Sequence, residues 1–382
     1  MEFLSVELFV TQRPKTKNTR QESLLLLLLL LLLFFRQLML IKIRLPASGI
    51  ISFSLKFCTR PLSLHSSFTT AATMAPATTT GNNAPKQPLK ILMLHGYTQS
   101  GSVFYSKSRA LIKNIQKALP LHQVDPVYPT APIRLDPTDI PGFEPPSTTQ
   151  EGGSGSSQQQ ELEAYGWWRH SSTPSNPPEY IGLNDGLNAV ATVIRNEGPF
   201  DGIIGFSQGA ALAAMVASLL EPGRKESFTH FSDTKVASAG FDIPDSNNLV
   251  PGIPFPESFE EVMLRSRQGP LKFAICYCGF RAPGPRYRAF YENPPIQTPV
   301  LHVLGSLDSV VDDSRSRALI QACAGNPQEE GRVVYHPGGH FLPSQRAYLD
   351  AAIKFVREQL EGRKEDAKKE VEEDVNDMDV PF

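Results

Sequence analysis

The stretch GPFDGIIGFSQGAALAAM, residues 198–215, decides the fold of this chain. Its apolar centre ends at Phe206 and predicts a short buried strand, and the Ala- and Leu-rich run that begins at Gln208 predicts a helix. Between them lies the pattern G-x-S-x-G with Ser207 at its centre. A sharp strand-to-helix turn lifts a serine hydroxyl clear of the sheet, and glycines on either side let neighbouring backbone pass closely. We therefore expect Ser207 to be the nucleophile of a hydrolase.

Short apolar strands alternate with longer amphipathic segments on both sides of this stretch. Such alternation predicts an α/β fold, in which a mostly parallel central sheet carries helices on both faces. Functional side chains of such sheets gather at the carboxyl ends of the strands. The other predicted strands are LKILML at 89–94, LKFAICYC at 271–278, TPVLHVLG at 298–305 and GRVVYH at 331–336.

A serine hydroxyl becomes a good nucleophile when a histidine takes its proton. In hydrolases of this type the chain order is serine, then the acid, then the histidine. His302 lies inside a predicted strand, where we expect it to be packed. His340 follows two glycines in the loop after the last strand, which can reach the serine turn. His340 is therefore the predicted base, with His336 at the strand end as the alternative.

The acid that orients the histidine is predicted at Asp308, just past the end of the strand 298–305. Asp312 and Asp313 follow four and five residues later. They are better explained as the N-cap and first turn of the next helix, where carboxylates stabilise the helix end.

Two backbone amides are expected to hold the oxyanion of the reaction. One belongs to Gln208, at the N-terminus of the helix that follows the nucleophile. The other belongs to Tyr97, in the loop LHGYTQSG after the first strand, where Gly96 allows the chain to turn. His95 precedes the nucleophile in the chain and is expected to fix the geometry of this loop by hydrogen bonding.

Together these residues resemble the FSH family of serine hydrolases, which is well represented in fungi. The resemblance implies an α/β-hydrolase fold and a triad of Ser207, Asp308 and His340 that needs no cofactor. It also implies carboxylesterase or thioesterase activity on a small-molecule or carrier-bound acyl substrate, with acyl release in secondary metabolism as one role. The turn GFSQG is also similar to that of acyl-protein thioesterases and small carboxylesterases. Besides residues 198–215, the resemblance rests on KILMLHGYTQSG (90–101), YGWWR (165–169), YIGLNDGL (180–187), KFAICYCGFRAP (272–283), LHVLGSLDSVV (301–311) and HPGGHFLP (336–343).

Three aromatic residues near these motifs have an open role. Trp167 and Trp168 are either core aromatics or part of the wall of the substrate pocket, where they would contact an apolar acyl group. Phe280 follows the strand 271–278 and is expected to line the same cleft. Other readings of the whole chain also stay open: a peptidase or lactone hydrolase of the same fold, or a binding protein without activity.

The remaining segments differ in composition from this core. We interpret 1–89 as an N-terminal extension, 90–361 as the hydrolase domain and 362–382 as a charged tail. Two stretches rich in polar residues, about 135–160 and 222–270, are predicted to be surface insertions, the second with one short helix at 257–267.

The N-terminal region contains an unbroken apolar run at 24–35. It is shorter than the ~20 residues that a membrane-spanning helix needs, so no stable span is expected. A secretory signal, a mitochondrial presequence and an extension upstream of a start at Met74 are the three interpretations of residues 1–73.

Charge and cysteine content narrow the class of protein further. The net charge of −2 gives no basic surface for nucleic acid. Four cysteines in 382 residues do not form a disulfide framework, which favours a reducing compartment and a cytoplasmic, or also nuclear, protein. Cys276 and Cys278 are expected to be structural, so neither a metal nor a cofactor is predicted. The oligomeric state is left open.

Overall fold

The computed structural model describes residues 85–140, 163–170, 179–241 and 249–376, with side chains described up to residue 362. Its centre is a six-stranded sheet in the order β10-β9-β8-β7-β1-β2, and every neighbouring pair in this order is parallel. The strands of this sheet are β1 (Gln87–Leu94), β2 (His122–Val127), β7 (Gly202–Phe206), β8 (Phe273–Tyr277), β9 (Val300–Gly305) and β10 (Val333–His336).

Helices cover both faces of the sheet because side chains alternate between the faces along each strand. In β7, Ile203 belongs to one apolar cluster and Ile204 to the other. The helices are α1 (Gly101–Ala118), α2 (Leu183–Glu197), α3 (Gln208–Leu219), α4 (Arg224–His230), α5 (Thr234–Ser238), α6 (Glu257–Arg265), α7 (Asp313–Gln321) and α8 (Arg346–Asn376). The cluster that contains Ile203 includes residues of α2, α3 and α7, whereas the cluster on the opposite face includes residues of α1 and α8.

This architecture confirms the predicted α/β-hydrolase fold. The register of the central strands aligns their carboxyl ends, since Leu94 of β1 pairs with Gly205 of β7 and Phe206 pairs with Tyr277 of β8. Loops that leave β1, β7 and β8 therefore start side by side at one edge of the sheet.

The boundaries of the fold differ somewhat from the predicted ones. β1 begins at Gln87, so the first strand starts inside the predicted N-terminal extension. The predicted domain end at residue 361 falls inside α8, which continues to Asn376. The apolar run at 24–35 and most of the extension lie outside the described residues.

The segment 222–270 is not the surface insertion that its composition predicts. Its described residues form three helices, and its apolar residues Phe228, Phe259 and Val262 are buried in the core. The Arg224 guanidinium is buried as well and lies 2.8 Å from the carboxylate of Glu221. The polar residues that dominate the composition lie between a few well-spaced apolar ones, and those few decide the packing. The predicted helix at 257–267 is confirmed as α6, while residues 242–248 and 141–162 lie outside the described part.

Two short antiparallel pairs lie beside the main sheet. β3 (Ile133–Arg134) pairs with β4 (Tyr165–Gly166), and β5 (Arg169–His170) pairs with β6 (Tyr180–Ile181). Trp167 and Trp168 connect these two pairs, and the indole of Trp167 is hydrogen-bonded to the loop that follows β1.

Within the described residues, no helix combines the length and the apolar character that crossing a membrane requires. The three cysteines in the described part, Cys276, Cys278 and Cys323, are buried and free.

Candidate active site

Ser207 occupies the sharp turn between β7 and α3. Its backbone has a φ of 55°, which is unfavourable for a residue with a Cβ, and its amide donates a 2.8 Å hydrogen bond to the carbonyl of Tyr277. Both glycines of the motif are required by close packing. A Cβ on Gly205 would lie 2.2 Å from the carbonyl oxygen of Gly209, and one on Gly209 would lie 2.2 Å from that of Leu94. The turn is therefore a strained and tightly packed serine elbow.

The imidazole of His340 lies between Ser207 and Asp308. Its Nδ1 is 2.7 Å from Oδ2 of Asp308, and its Nε2 is 2.9 Å from Oγ of Ser207. A carboxylate can only accept hydrogen bonds, so Nδ1 carries the proton of the neutral ring and Nε2 accepts from the serine hydroxyl. The arrangement is that of a base ready to remove the proton of Ser207.

Asp308 is held as an anion by several donors. Its Oδ1 accepts hydrogen bonds from the amides of Val310 at 2.9 Å and Val311 at 3.0 Å, while Oδ2 faces His340. Burial alone would raise the pKa of Asp308, but the amide of Val311, the imidazole of His340 and the amide of Val310 together hold this pKa below its usual value. The Asp308 carboxylate is therefore charged where it faces the imidazole of His340.

The two other histidines considered as the base are both buried inside the fold. His336 is buried, accepts a hydrogen bond at Nδ1 from the amide of Gly338, and packs against the rings of Phe341 and Tyr348. His302 is buried inside β9, and burial, with a smaller effect of Arg332, lowers its pKa to about 3. The structure thus brings His340 to the serine, rather than either alternative.

Asp312 has the capping role that its position predicts. It is the N-cap of α7, and its side chain accepts a 2.9 Å hydrogen bond from the amide of Ser314. Asp313 is the first residue of that helix and pairs with Arg317 on the exposed surface.

The two amides predicted to bind an oxyanion flank the serine. A Cβ on Gly96 would lie 3.3 Å from Cβ of Ser207, so the loop that carries Tyr97 passes directly beside the nucleophile. Gln208 is the first residue of α3. Among the loop and cap hydrogen bonds of the described residues, neither the amide of Tyr97 nor that of Gln208 donates to a backbone carbonyl. Both are available to a ligand.

His95 fixes this loop as its sequence position suggests. Its Nδ1 lies 2.8 Å from the carbonyl oxygen of Gly96, and its Nε2 accepts a 2.9 Å hydrogen bond from the amide of Ala131. Burial lowers the pKa of His95 to about 4, against the smaller opposing effect of the Gly96 carbonyl, so the ring is neutral near pH 7.

The aromatic residues proposed for the pocket wall are core residues. Trp167 and Trp168 both have 0% exposure, and Trp168 stacks on Tyr180 with ring centroids 4.7 Å apart. Phe280 is 5% exposed and lies under the guanidinium of Arg315. Neither tryptophan is among the described residues that line the pocket around Ser207, and their complete burial favours the core interpretation over the pocket-wall one.

The pocket that contains Ser207 and His340 has a volume of about 550 Å³. Of the described residues that form its wall, most are apolar and one, Lys107, is charged. The main wall residues are Tyr97, Phe104, Lys107, Ile140, Val310 and Phe341. The motifs gave a partial signal for these residues. Val310 and Phe341 lie within two residues of Asp308 and His340, and Phe104 and Lys107 are one helical turn apart at the start of α1. Ile140 had none.

One group of metal-ligating side chains occurs among the described residues, formed by Cys278, Asp308 and His340, with ligand atoms within 4.8 Å of one another. Burial, followed by the charge of Asp308, raises the pKa of the Cys278 thiol to about 12. The thiol therefore stays protonated near neutral pH and is a poor metal ligand. The other two groups are bonded to each other, which favours serine chemistry at this site.

Comparison with known proteins finds similarity to esterases and serine hydrolases. The match to the structure of an acyl-protein thioesterase of maize has a TM-score of 0.40 and 20% sequence identity. It covers 72% of this chain and 95% of the maize protein. The esterase OVCA2 of Danio rerio is 30% identical over 71% of this chain and 97% of its own length. A Saccharomyces cerevisiae protein named family of serine hydrolases 3 is 28% identical over 74% of this chain and 90% of its own.

A Schizosaccharomyces pombe protein named dihydrofolate reductase is 31% identical over 71% of this chain. This chain spans only 47% of that relative's length, so the reductase name belongs to that protein alone. The sequence model of the family described as serine hydrolase (FSH1) matches residues 84–352. The match covers the whole sheet and every residue of the serine site, and the chain therefore belongs to the FSH1 family of serine hydrolases.

Proposed function

We propose that this serine hydrolase cleaves carboxylic esters or thioesters with Ser207 as nucleophile, His340 as base and Asp308 as its orienting acid. The observation that carries the proposal is the pair of contacts at the imidazole, 2.9 Å to Ser207 Oγ and 2.7 Å to Asp308 Oδ2. Three residues from three separate loops meet within hydrogen-bonding distance, in the chain order that the fold uses.

In the first half of the reaction, Oγ of Ser207 attacks the acyl carbonyl while Nε2 of His340 removes its proton. The negative charge that develops on the carbonyl oxygen is stabilised by the amides of Tyr97 and Gln208. His340 then gives its proton to the departing alcohol or thiol, which leaves the acyl group bonded to Ser207. The Asp308 carboxylate stabilises the imidazolium that exists between these two transfers.

In the second half, water replaces the alcohol or thiol. His340 removes a proton from the water as it attacks the acyl-enzyme, and the same two amides hold the new oxyanion. Collapse of this intermediate returns the proton to Ser207 and releases the carboxylic acid. The reaction consumes only the ester or thioester and water, and no cofactor takes part.

The character of the pocket supports an acyl substrate. Phe104, Ile140, Val310 and Phe341 give an apolar wall beside Ser207, which suits the hydrocarbon part of an acyl group. A small-molecule ester and an acyl group on a carrier thiol both fit this description, and a panel of esters, thioesters and amides of one acyl chain would rank them.

Replacement of Ser207 by alanine tests the nucleophile. We expect Ser207→Ala to lower kcat on a p-nitrophenyl ester on the order of 10⁴-fold or more and to abolish labelling by a fluorophosphonate. Ser232→Ala, at an exposed serine after α4, is the control and should label as the wild type does. Labelling of the Ser207→Ala variant at the same peptide would refute the assignment.

A matched pair of histidine variants tests the base. His340→Gln should lose about as much activity as Ser207→Ala, because the two residues act as a unit. His336→Gln removes the buried histidine four residues earlier and should keep most of the kcat of the folded protein. The opposite ranking would assign the base to His336.

A further inference from the structure

One short segment, Tyr165–Trp168, contacts both halves of the oxyanion site. The amide of Tyr165 donates a 3.1 Å hydrogen bond to the carbonyl of Gln99, in the loop that carries Tyr97. A Cβ on Gly166 would lie 2.7 Å from the ring of Tyr97, so that ring rests directly on the segment. The loop after β1 is therefore bound to this segment at more than one point.

Trp167 makes the central contact to this loop. Its indole Nε1 donates a 2.9 Å hydrogen bond to the carbonyl of His95, two residues before Tyr97, and the two rings are 5.1 Å apart. The His95 side chain is itself fixed by Ala131 and by the carbonyl of Gly96. The backbone that leads to the Tyr97 amide is thus fixed by two sets of contacts, those of the His95 side chain and the hydrogen bond from Trp167.

The same tryptophan also contacts the serine elbow. The amide of Trp167 donates a 2.8 Å hydrogen bond to Oε1 of Gln208, and Nε2 of Gln208 donates a 2.8 Å hydrogen bond to the carbonyl of Trp168. The Gln208 side chain is buried, and both of its polar atoms are paired in this way. Gln208 is the residue whose amide is the second oxyanion donor, so this pairing fixes the donor's own side chain.

We propose that Trp167 is a positioning residue, which sets the spacing of the Tyr97 and Gln208 amides by binding one loop through its indole and the other through its backbone. The inference rests on the proposed function, since it concerns the oxyanion of that reaction. The two loops leave different strands, β1 and β7, and Trp167 is joined to each by a buried hydrogen bond. When one partner of such a buried hydrogen bond is removed, the group that is left unpaired costs free energy. We expect the loop to shift so that this group finds another partner.

The adjacent tryptophan provides a matched control. Trp168 is as deeply buried as Trp167, but its Nε1 has no hydrogen-bond partner among the described residues. Trp167→Phe and Trp168→Phe are therefore the same substitution at neighbouring core positions, and only the first removes a hydrogen bond to the oxyanion loop. Loss of core packing is common to both and cancels in the comparison.

The experiment measures steady-state hydrolysis of a p-nitrophenyl ester by the full chain, with rates expressed per serine that a fluorophosphonate titrates. We expect Trp167→Phe to lower kcat about 10- to 100-fold, with KM changed less than about 3-fold, because misplaced donors weaken the transition state more than the bound substrate. We expect Trp168→Phe to lower kcat less than about 3-fold. A trifluoromethyl ketone, which forms a tetrahedral oxyanion adduct with the serine, should bind Trp167→Phe more weakly by a similar factor to the loss in kcat.

Equal kcat values per titrated serine in the two variants would overturn the proposal, as would a lower kcat without weaker binding of the ketone. Either result leaves the proposed function intact if Ser207→Ala is inactive, whereas turnover by Ser207→Ala would remove the proposed function itself. If Trp167→Phe does not fold, Gln208→Met takes its place. Methionine has a similar length, removes both hydrogen bonds to the segment, and is held to the same two measurements.

Discussion

Asp308 and His340 are joined by one carboxylate oxygen, while the other oxygen of Asp308 is already occupied by two amides. Oδ2 lies 2.7 Å from Nδ1 of His340, and Oδ1 accepts from Val310 and Val311. This arrangement leaves an amide at the same position no orientation that keeps the present tautomer of His340. An asparagine that turned its NH₂ group toward the two backbone amides would oppose donors with donors, and one that turned it toward His340 would require Nδ1 to accept.

We therefore expect Asp308→Asn to lower kcat about 10⁴-fold, the size of loss that the same change causes in the serine protease triad. If the NH₂ group faces His340, Nε2 carries the ring proton and cannot accept that of Ser207. Ester hydrolysis under saturating substrate measures the loss. Asp313→Asn, on the exposed side of α7, is the control and should retain wild-type kcat; a similar loss in both variants would contradict the role of Asp308.

Lys107 is expected to set a charge preference in the substrate. It is an exposed lysine on α1, and in the part of the chain that the structure describes it is the one charged side chain in the wall of the pocket that contains Ser207. A carboxylate on the acyl or leaving group would interact favourably with it, so Lys107→Gln should lower kcat/KM for a carboxylate-bearing ester roughly two- to five-fold. The value for the neutral ester of the same length should change little.

The control for this prediction is Lys113→Gln, two turns further along α1 and outside the pocket wall. The two substitutions change the net charge equally, so a long-range effect of charge would appear in both. Equal effects of the two variants, or equal effects of Lys107→Gln on both esters, would argue against a local role of Lys107. The effect should also shrink in high salt.

The packing around Gly209 predicts a large loss of stability for a small change. A Cβ at this position would lie 2.2 Å from the carbonyl oxygen of Leu94 and 2.4 Å from that of His95, so Gly209→Ala must displace backbone. We expect the free energy of unfolding in urea to fall by about 1–3 kcal/mol. Gly269→Ala, where nothing lies within 4 Å of the added Cβ, should change it by less than about 1 kcal/mol. If the free energy of unfolding falls no more in Gly209→Ala than in Gly269→Ala, the backbone around Gly209 moves aside at little cost.

His302 should make the protein sensitive to acid. In the folded state burial, then Arg332, lowers its pKa from 6.5 to about 3. Below pH 6.5 the unfolded chain therefore binds a proton that the folded chain cannot, and the free energy of unfolding falls as the pH falls. From pH 6.5 to about 5, this one group should remove roughly 2 kcal/mol.

His302→Gln does not titrate, so its free energy of unfolding should fall less steeply over this pH range than that of the wild type. Urea denaturation at about pH 7 and about pH 5 gives the difference. His230→Gln, at an exposed histidine on α4, is the control and should keep the wild-type slope. An unchanged slope in His302→Gln would show that other groups dominate the acid response.

Local patterns were sufficient to predict the three side chains that meet at the candidate active site. Ser207, Asp308 and His340 each lie within four residues of the end of a predicted strand. In a parallel sheet the carboxyl ends of the strands lie at one edge, so these side chains are expected to be close together. The same logic placed the amides of Tyr97 and Gln208. The glycines before His340 favoured it over His336 in the sequence, and the structure adds that His336 is buried whereas His340 contacts Ser207.

Tertiary packing decided what local patterns could not. The apolar residues at 222–270 are too widely spaced to show a core segment, yet they close one face of the sheet together with the buried pair Glu221 and Arg224. The tryptophans read equally well as core or pocket wall because both environments are apolar. The role of the Gln208 side chain gave no signal, since its partners at 167 and 168 lie about forty residues away in the chain.

The proposed reacting groups and part of the pocket wall come from different elements of the fold. Ser207, Asp308 and His340 follow β7, β9 and β10, whereas Ile140 belongs to a loop and Lys107 to α1. Natural variation can therefore alter what the enzyme accepts without altering how it reacts. Exchange of the wall-forming segments between family members is a direct route to new substrate ranges on an unchanged catalytic frame.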